Sequence, residues 1–369
     1  MHINVLIPDA EHELLTFQVR NCLAESDRFA IFLMSNVKNS LSKFSRQIDG
    51  FSYYPKTDTP NTWITHINSE VKTHAIDIIL PIYQKGIRTL IKHKQLVEAQ
   101  DKLVALPTLD FFNISLDKIR FASYLKEQSI QHPTCYTYDA IASKKILPKP
   151  IIVKPLDSGG GEGIKVIKTI EAFMLFFKEK EKQNHFIIQE FITGYDIDCS
   201  VLCLNGEIKA YTIQKGILFR ANKFAPAIGL QFLFEDKLYD TVKKMIQKMQ
   251  WSGIAHIDLR YDAIEKEFKV IEINPRYWET LDASLISGIN FPKLQCLQHI
   301  EEEFETPQYS YIEVLTLRGL RKKLSQKPFY IFQFKKILKH STLQLVLKDL
   351  VPWFFKIIVM LKNRLTFKR

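Results

Sequence analysis

The chain has 369 residues, of which 46% are hydrophobic and 25% are charged, and its net charge at pH 7 is +11. This length and composition exclude an intrinsically disordered chain and predict two or more domains with cores of their own. No run reaches the roughly 18 apolar residues that a membrane-spanning helix needs. The N-terminal MHINVLIPDAEHE lacks the pattern of a signal peptide, and five scattered cysteines indicate reduced thiols, so we expect a cytoplasmic protein.

The first ~110 residues predict a small α/β domain. Apolar runs that are typical of buried strands alternate with helical patterns at Leu14–Ala24, at Thr62–Thr73 and near Arg88. The predicted strands are Ile3–Pro8, Phe29–Met34, Ile76–Ile82 and Leu103–Thr108. Strands that are apolar throughout and alternate with helices indicate a parallel sheet covered on both faces. The turn after the first strand lacks GxGxxG, so it does not support a dinucleotide site.

From about residue 113 the pattern changes to a mixed α+β layout with much antiparallel sheet. SLDKIRFASYLKEQ predicts a helix capped by Ser115, with Lys118 in its first turn. Further helices are predicted over residues 170–180 and 236–250, and a hairpin is expected to turn at Asn205-Gly206.

Two segments on either side of residue 265 carry a polar pattern that predicts a site. In AHIDLRYD, His256 and Asp258 alternate with apolar residues, and in KVIEINP, Glu272 and Asn274 do the same. A hairpin turning near Glu265 would place Asp258 opposite Glu272, and His256 opposite Asn274. Two carboxylates that close, with an amide oxygen beside them, fit a hard cation such as Mg²⁺. The alternative is a solvated hairpin face whose acids point at bulk water.

The stretch VKPLDSGGGEGIKVI places Lys154 ahead of four glycines at positions 159, 160, 161 and 163. Glycines let successive backbone N–H groups converge on phosphate oxygens without interference from Cβ atoms, and the lysine can add a point charge. This is not the GxxxxGK[ST] loop, because the lysine comes first. A flexible surface turn is the alternative, which the predicted metal pair makes the weaker interpretation.

FIIQEFITGYDIDCSVL predicts two strands joined by an extended linker that contains Gly194. Such a linker can offer backbone N–H and C=O groups to an adenine edge. Asp196, just beyond it, is placed to accept hydrogen bonds from ribose hydroxyls. An ordinary strand-to-strand connection is the alternative.

These segments, together with DKIRFASYLKEQSIQHPTCYTY and with VIEINPR, occur in an order and spacing that resemble the ATP-grasp superfamily of the carboxylate–amine ligase type. Carbamoyl-phosphate synthase, biotin carboxylase and D-alanine–D-alanine ligase have ATP-binding domains of this kind. The E-x-N-x-R ending, Glu272 to Arg276, is the most specific element. The resemblance covers residues 113–288. It implies a Rossmann-like pre-ATP-grasp domain over residues 1–112 and an ATP-grasp domain with lobes at about 113–185 and 186–300. Residues 301–369 would form a basic, helical C-terminal extension.

The resemblance implies a role for each matched residue. The residues expected to contact ATP are Lys118, Lys154, Ser158, Gly159, Gly160, Gly161, Gly163, Glu190, Phe191, Ile192 and Asp196. Of these, the lysines would contact the phosphates, residues 158–163 would close as a lid, residues 190–192 would border the adenine, and Asp196 would hold the ribose. Asp258, Glu272 and Asn274 would bind two Mg²⁺ ions, with Mn²⁺ as the alternative metal. Arg276 would act with Lys154 in catalysis by steadying the acceptor carboxylate and its acyl phosphate.

Two points lie outside this pattern. Asp196 stands where many members of the family have Glu. The substrate-side residues have no recognisable motif, and the candidates Arg260, Lys215, Arg220 and Lys223 are chosen only because they are basic and near the motifs.

The reaction implied is ATP-dependent joining of a carboxylate to an amine or a thiol through an acyl phosphate, with release of ADP and phosphate. Small-molecule substrates and a homodimer are the expected partners. One alternative is an ATP-binding module at a membrane surface without ligase turnover. Another is a phosphotransferase that acts on a hydroxyl.

Most of the net charge lies in the C-terminal segment. Residues 318–369 contain 14 Lys and Arg but one acid, which leaves −2 for the rest of the chain. Lysines alternate there with aliphatic residues and with Trp353, Phe354 and Phe355 at helical intervals, as in helices that bind the inner face of an anionic membrane. A helical element docked on the ligase is the second interpretation. Nucleic-acid binding is the third interpretation, but no nucleic-acid-binding module supports it.

Overall fold

The computed structural model describes residues 2–56, 59–179, 184–221 and 225–357, which form three sheets with helices around them. The N-terminal sheet is parallel, with strand order β3-β2-β1-β4. Its strands are β1 (Ile3–Ile7), β2 (Phe29–Ser35), β3 (Gly50–Tyr53) and β4 (Ile78–Ile79). The accompanying helices are α1 (Glu13–Leu23), α2 (Pro60–Thr73) and α3 (Gln84–Lys92). Apolar side chains on both faces of the sheet are buried, as the uninterrupted apolar runs predict.

Two predicted strands of this sheet are wrong in extent. Residues 76–82 form only the two-residue strand β4, and Leu103–Thr108 contributes a single parallel bridge between Leu103 and Ile79. The reason for the second difference is local. Pro107 has no N–H to donate, and Thr108 already caps the next helix by accepting from Phe111 N.

Two helices lead from this unit into the next, α4 (Leu109–Leu116) and α5 (Lys118–Glu127). The predicted cap at Ser115 is wrong, because Ser115 lies inside α4 and its hydroxyl donates to Phe112 O. Asp117 caps α5 instead, accepting from the backbone N–H groups of residues 119 and 120 at 3.0 Å each. Lys118 is the first residue of α5, within the first turn as predicted.

A small antiparallel sheet, in the order β5-β8-β6-β7, follows. Its strands are β5 (Cys135–Tyr136), β6 (Ile151–Pro155), β7 (Lys165–Ile167) and β8 (Phe186–Glu190). Helices α6 (Tyr138–Lys144) and α7 (Ile170–Phe176) pack against it through Ile141, Phe173 and Phe177. Helix α7 ends at Phe176 and not near residue 180 as predicted, and residue 180 itself lies outside the described ranges.

The third sheet is antiparallel and has the strand order β13-β12-β9-β10-β11-β14. Its strands are β9 (Gly194–Leu204), β10 (Glu207–Leu218), β11 (Gly229–Phe232), β12 (Gly253–Asp262), β13 (Glu267–Asn274) and β14 (Glu313–Leu315). The β9–β10 hairpin turns at Asn205-Gly206 as predicted, with φ of 49° and 81° at these residues. Strand β14 joins this sheet although it lies in the segment predicted as a C-terminal extension.

The two faces of this sheet are covered differently. Helix α8 (Asp236–Met249) packs its apolar side chains on the face that carries Ile197, Cys199 and Val201. At one end, the opposite face contributes apolar residues to a core shared with the N-terminal sheet and with α9 (Leu281–Ser287) and α10 (Phe291–His299). At its other end, that face carries polar side chains and is available to a ligand.

The C-terminal segment is helical; its first part packs on the edge of the third sheet, and its last part packs on the N-terminal unit. It contains α11 (Leu317–Gln326), α12 (Phe334–Lys339), α13 (Leu343–Lys348) and helical backbone at residues 351–357. Asp349 is buried and pairs with Arg20 of α1 at 3.3 Å, and Phe355 stacks on Phe44 with ring centroids 3.9 Å apart. Residues 358–369, which carry the rest of the predicted basic tail, lie outside the described ranges. Among the described residues, every helix falls short of the length and apolarity that crossing a bilayer requires.

Candidate functional site

The β12–β13 hairpin has the register that its polar alternation predicts. Asp258 lies opposite Glu272, and His256 lies opposite Asn274. A bulge after Asp258 shifts the remaining pairs by one residue, so the symmetric register holds only at the end of the hairpin that carries these four side chains. The Asn274 amide donates to Glu272 Oε1 at 3.3 Å. The predicted facing carboxylates are therefore confirmed.

The same row continues onto a strand that sequence reasoning did not connect with it. β12 pairs with β9 as well as with β13, and this places Asp198 opposite Asp258. Single ligand atoms of Asp198, His256 and Asp258 lie within 4.8 Å of one another. His256 Nδ1 is hydrogen-bonded to Ser200 Oγ at 2.9 Å, and its Nε2 lies 3.3 Å from Asp258 Oδ1. Asp198 and Ser200 alternate along β9 with apolar residues, and this alternation was the available signal.

The proximity of these groups changes their ionisation. Burial raises the pKa of Asp258 well above its usual range, and the charges of Glu272 and Asp198 raise it further. Burial and the charge of Asp196 raise the pKa of Asp198 to about 7. The carboxylates of Asp198, Asp258 and Glu272 repel one another at this separation unless a positive charge compensates them. Oxygen donors from two carboxylates and an amide are the set that Mg²⁺ accepts, so the residues present fit that ion.

The neighbouring histidine is held as a neutral ring. Burial, together with the positive charge of Arg276, lowers the pKa of His256 to about 3. The ring stacks on Trp278 with centroids 5.4 Å apart. Arg276 itself donates to Tyr277 O at 2.8 Å. Its charge opposes the rise in the pKa of Asp258, which with Asp198 and Glu272 forms what is called the carboxylate row below.

Lys154 reaches this row from the small sheet. It lies on β6, and burial lowers the pKa of its ammonium group while the charge of Glu272 raises it. Asp196 and Asp258 also act on it electrostatically. The fold thus brings the predicted phosphate-binding lysine together with the predicted metal ligands, which lie more than a hundred residues further along the chain.

The glycine loop after β6 has the backbone conformation that its composition predicts. Gly160, Gly161 and Gly163 have φ of 62°, 78° and 71°, a region that other residues rarely adopt. The Ser158 hydroxyl donates to Glu162 O at 3.0 Å and closes the turn. Gly159 and Gly160 have open space around them, which leaves room for a ligand.

Lys118 contacts this loop directly. Its Nζ donates to the carbonyl oxygens of Pro155, Leu156 and Ser158 at 3.0, 2.9 and 2.7 Å. Burial lowers the pKa of the ammonium group, and Glu272 opposes this effect. Contact between Lys118 and a phosphate stays a prediction, and it requires at least one of these carbonyl bonds to be exchanged for a phosphate oxygen.

The linker after β8 is fixed by Arg260 to the six-stranded third sheet, which is called the large sheet below. This guanidinium donates to Ile192 O at 2.9 Å, to Gly194 O at 3.0 Å and to Asp196 Oδ1 at 2.5 Å. The substrate-side candidate Arg260 therefore organises the linker. Phe191 N donates to Pro150 O at 2.8 Å, so both sides of the linker are held.

The carboxylate at the start of the linker is also held. Glu190 accepts from Lys269 Nζ at 2.8 Å and from Thr134 N at 3.0 Å. Lys269 was not recognised from the sequence, because the charge alternation in KEFKV gives no indication of a partner 79 residues away.

Of the other substrate-side candidates, Lys215 lies away from the carboxylate row. It pairs in register with Ile197, on the face covered by α8, and its ammonium lies 3.4 Å from the centroid of the Tyr195 ring. Arg220 is exposed, and Lys223 lies outside the described residues.

Residues 115–280 match the ATP-grasp domain family. They form an ATP-grasp domain. Its motifs are those from which the resemblance was inferred, and the carboxylate row and glycine loop described above lie inside the matched range.

Two curated relatives of this ATP-grasp domain are distant in sequence. The carbamoyl-phosphate synthase of Methanobrevibacter smithii is 24% identical over 214 residues, which is 54% of this chain and 57% of that protein. The D-aspartate ligase of Enterococcus faecium is 23% identical over 228 residues, 55% of this chain and 53% of that protein. The chain thus spans little more than half the length of these curated relatives.

A solved structure extends the likeness in fold over most of the chain. It is the biotin carboxylase domain dimer of the 2-oxoglutarate carboxylase of Hydrogenobacter thermophilus, in complex with MgADP and bicarbonate. The TM-score is 0.62 at 15% identity, over 84% of this chain and 73% of that one. At this identity the likeness supports a mixed α/β fold with parallel and antiparallel sheets.

Proposed function

We propose that the protein is an ATP-dependent ligase that joins a small carboxylate to an amine, or to a thiol, through an acyl phosphate. One observation carries the proposal: Lys154 of the small sheet lies within the electrostatic field of Asp258 and Glu272 of the large sheet. A nucleotide bound between the two sheets would have its phosphates between a cation and a metal-binding row. That is the arrangement phosphoryl transfer requires, because catalysis there depends on positioning and charge neutralisation.

The residues then take the following roles. Asp258, Glu272 and Asn274 hold Mg²⁺, with Asp198 and the neutral His256 next to them in the same face of the sheet. When bound, Mg²⁺ neutralises phosphate charge and polarises the γ-phosphoryl group.

Around the nucleotide, Lys154 supplies the fixed positive charge, and residues 158–163 close over the phosphates. Residues 190–192 border the adenine. Asp196 accepts from the ribose while Arg260 holds its other oxygen. Arg276 binds the acceptor carboxylate.

The chemistry balances without a protein nucleophile. An oxygen of the substrate carboxylate attacks the γ-phosphorus, the bond from that phosphorus to the bridging oxygen breaks, and ADP leaves. The nitrogen of the amine then attacks the acyl carbon and loses a proton, and inorganic phosphate leaves.

The test is a screen of carboxylic acids with MgATP and hydroxylamine, which traps an acyl phosphate as a hydroxamate. We expect ADP and hydroxamate from the wild type, and a loss of both products in Lys154→Met with unchanged circular dichroism. The proposal is wrong if the only products are AMP and pyrophosphate. A stable phosphorylated product that hydroxylamine does not convert would identify a phosphotransferase instead.

The C-terminal helices support a second proposal, attachment to an anionic membrane surface, through part of the segment 318–369 for which the sequence predicts it. Phe355 is stacked on the protein, but Phe329 and Phe332 are 83% and 81% exposed in a segment flanked by lysines. Aromatic side chains among cations are typical of interfacial binding. We expect the wild-type protein to cosediment with phosphatidylserine vesicles. The double variant Phe329→Ser with Phe332→Ser should lose this binding, whereas Leu175→Ser, which changes a 73% exposed side chain elsewhere, should keep it. Equal sedimentation of all three proteins would contradict it.

A further inference from the structure

A groove of about 510 Å³ lies beside helix α3, outside the carboxylate row and the glycine loop. It runs along α3, from Tyr83 and Gln84, which follow the carboxyl end of β4, to Lys92 and His93 at the end of the helix. Its polar lining comes from Tyr83, Gln84, Lys85, Arg88, Thr89, Lys92 and His93.

The groove is strongly basic. Lys85, Arg88 and Lys92 follow at i, i+3 and i+7, so one face of α3 presents all three cations to the groove. None of the described residues that line the groove is an acid. Within the described ranges, no carboxylate forms an ion pair with these three side chains, whereas Lys72 of the preceding helix pairs with Glu98 at 2.6 Å.

Two costs of this arrangement would be offset by a bound anion. Like charges at neighbouring helical positions repel one another. In addition, Lys85 lies in the first turn of α3, where the helix macrodipole is unfavourable to a cation. A ligand with two or more negative groups would remove both costs.

The helix that lines the groove is held in place at its first turn. The buried carboxylate of Asp9 accepts from Ile82 N at 2.9 Å and from Tyr83 N at 2.8 Å, immediately before α3 begins. A Cβ on Gly86 would lie only 2.2 Å from Asp9 Oδ2, so the first turn of α3 packs directly on this carboxylate. The three cations are therefore presented from a fixed helix, which reduces the entropy lost on binding.

One lining residue of the groove is close in the chain to a residue of the proposed active site. Leu116 contributes to its lining, and Lys118, two residues further on, donates to the carbonyl groups of the glycine loop. The three cations of the groove, the fixed helix that carries them and the place of Leu116 near Lys118 support one conclusion. The geometry points to a binding site for a polyanion that bears phosphate or carboxylate groups. On the basis of the proposed function, this polyanion forms part of the acceptor substrate of the ligase.

The site can be tested without turnover, on the full-length protein in EDTA. The lysines are acetylated in the absence of a probe, in the presence of inorganic pyrophosphate and, separately, in the presence of citrate. Mass spectrometry then measures the extent of acetylation at each lysine. We expect pyrophosphate or citrate to protect Lys85 and Lys92, but not the exposed Lys94 just outside the groove. Stronger protection by pyrophosphate identifies a phosphate-bearing ligand, and stronger protection by citrate a polycarboxylate. Protection at Lys154 separately reports binding at the nucleotide site.

Variants make the test specific. Arg88→Ala with Lys92→Ala should weaken the protection of Lys85 by about tenfold in probe concentration, since a charged hydrogen bond contributes about that much affinity. Lys94→Ala with Lys144→Ala removes the same charge elsewhere and should leave that protection unchanged. Equal labelling with and without both probes, or equal weakening in both double variants, overturns the inference.

The outcome is separable from that of the proposed function. If Lys85 is protected but no carboxylate gives a hydroxamate, the groove stands as an anion site and the ligase proposal fails. If hydroxamate forms but neither probe protects Lys85, the ligase proposal stands and the groove inference fails.

Discussion

Replacing Lys269 by methionine tests whether the proposed adenine linker is held by a buried charge. The Lys269 side chain is 4% exposed, and its ammonium lies 2.8 Å from Glu190 and 3.0 Å from Asp262, whose side chains are 6% and 7% exposed. Burial alone would lower the pKa of Lys269, but hydrogen bonds with Glu190, Glu265 and Asp262 outweigh burial and raise it. The ammonium and its carboxylate partners are therefore charged together at neutral pH.

Removal of this ammonium leaves the enclosed carboxylate of Asp262 without its counter-ion, and leaves Glu190 with only the exposed Lys149, whose Nζ lies 3.9 Å away. A broken buried ion pair typically costs about 3–5 kcal/mol, whereas the third contact, to the 43% exposed Glu265, contributes little. We expect Lys269→Met to lower the free energy of unfolding by about that amount in urea, followed by tryptophan fluorescence. Displacement of the linker should weaken ATP binding by about tenfold, if it costs about 1.4 kcal/mol.

Two controls make the result specific. Lys266→Met, an exposed lysine in the same turn, should change stability by less than about 0.5 kcal/mol. Glu190→Gln introduced into the Lys269→Met background should recover part of the loss, because it removes one of the two enclosed carboxylate charges. The reasoning is refuted if Lys269→Met costs less than about 1 kcal/mol and leaves ATP binding unchanged.

Three further predictions concern the scaffold. Burial raises the pKa of Asp9 from 3.8 to about 7, so the folded state favours its protonated form, and the stability this contributes is lost as pH rises through that window. The unfolding free energy of the wild type relative to Asp9→Asn should therefore fall by up to about 4 kcal/mol between pH 4 and pH 7, and a constant difference would contradict it. Asp349→Ala leaves the 3% exposed Arg20 without this ion-pair partner and should lower the free energy of unfolding by about 3–5 kcal/mol. It should also speed trypsin cleavage after residue 348, and an unchanged digest would exclude a role for this pair in docking the C-terminal segment. A Cβ on Gly194 would lie 1.8 Å from Tyr261 O, so Gly194→Ala should lower the melting temperature, and a wild-type melting curve would show that the linker can shift freely.

The local part of the site could be predicted from the sequence. Alternation with a period of two fixes which side chains share a face of a strand, and a turn centred near Glu265 predicts which residues face each other across the hairpin. This symmetric register holds at the end of the hairpin that carries the site, whereas a bulge after Asp258 shifts the pairs nearer the turn by one residue. Asp258 and Glu272 were therefore placed opposite each other correctly. Clustered glycines likewise predict positive φ, because few other residues adopt it, and Gly160 and Gly161 do so.

The capping and strand predictions failed where two local signals competed. Ser115 and Asp117 are both good N-cap residues, and the helix that ends at Leu116 decided in favour of Asp117. Strand β4 is the last strand of its sheet, and the position of a strand within a sheet is not a local property of the sequence.

The sequence by itself determined the chemistry of the site: a lysine before a glycine loop, and a hairpin with two facing carboxylates and an amide. Only the tertiary structure decided which groups complete it. Asp198 joins the carboxylate row because β9 pairs with β12, and Lys269 fixes Glu190 across 79 residues. Contacts of this kind depend on strand order and on sheet packing, which arise from burial of the whole core, and hydrophobic burial is not directional. A period in the sequence can thus fix the face on which a side chain lies, but its partner on a distant strand is fixed by the fold.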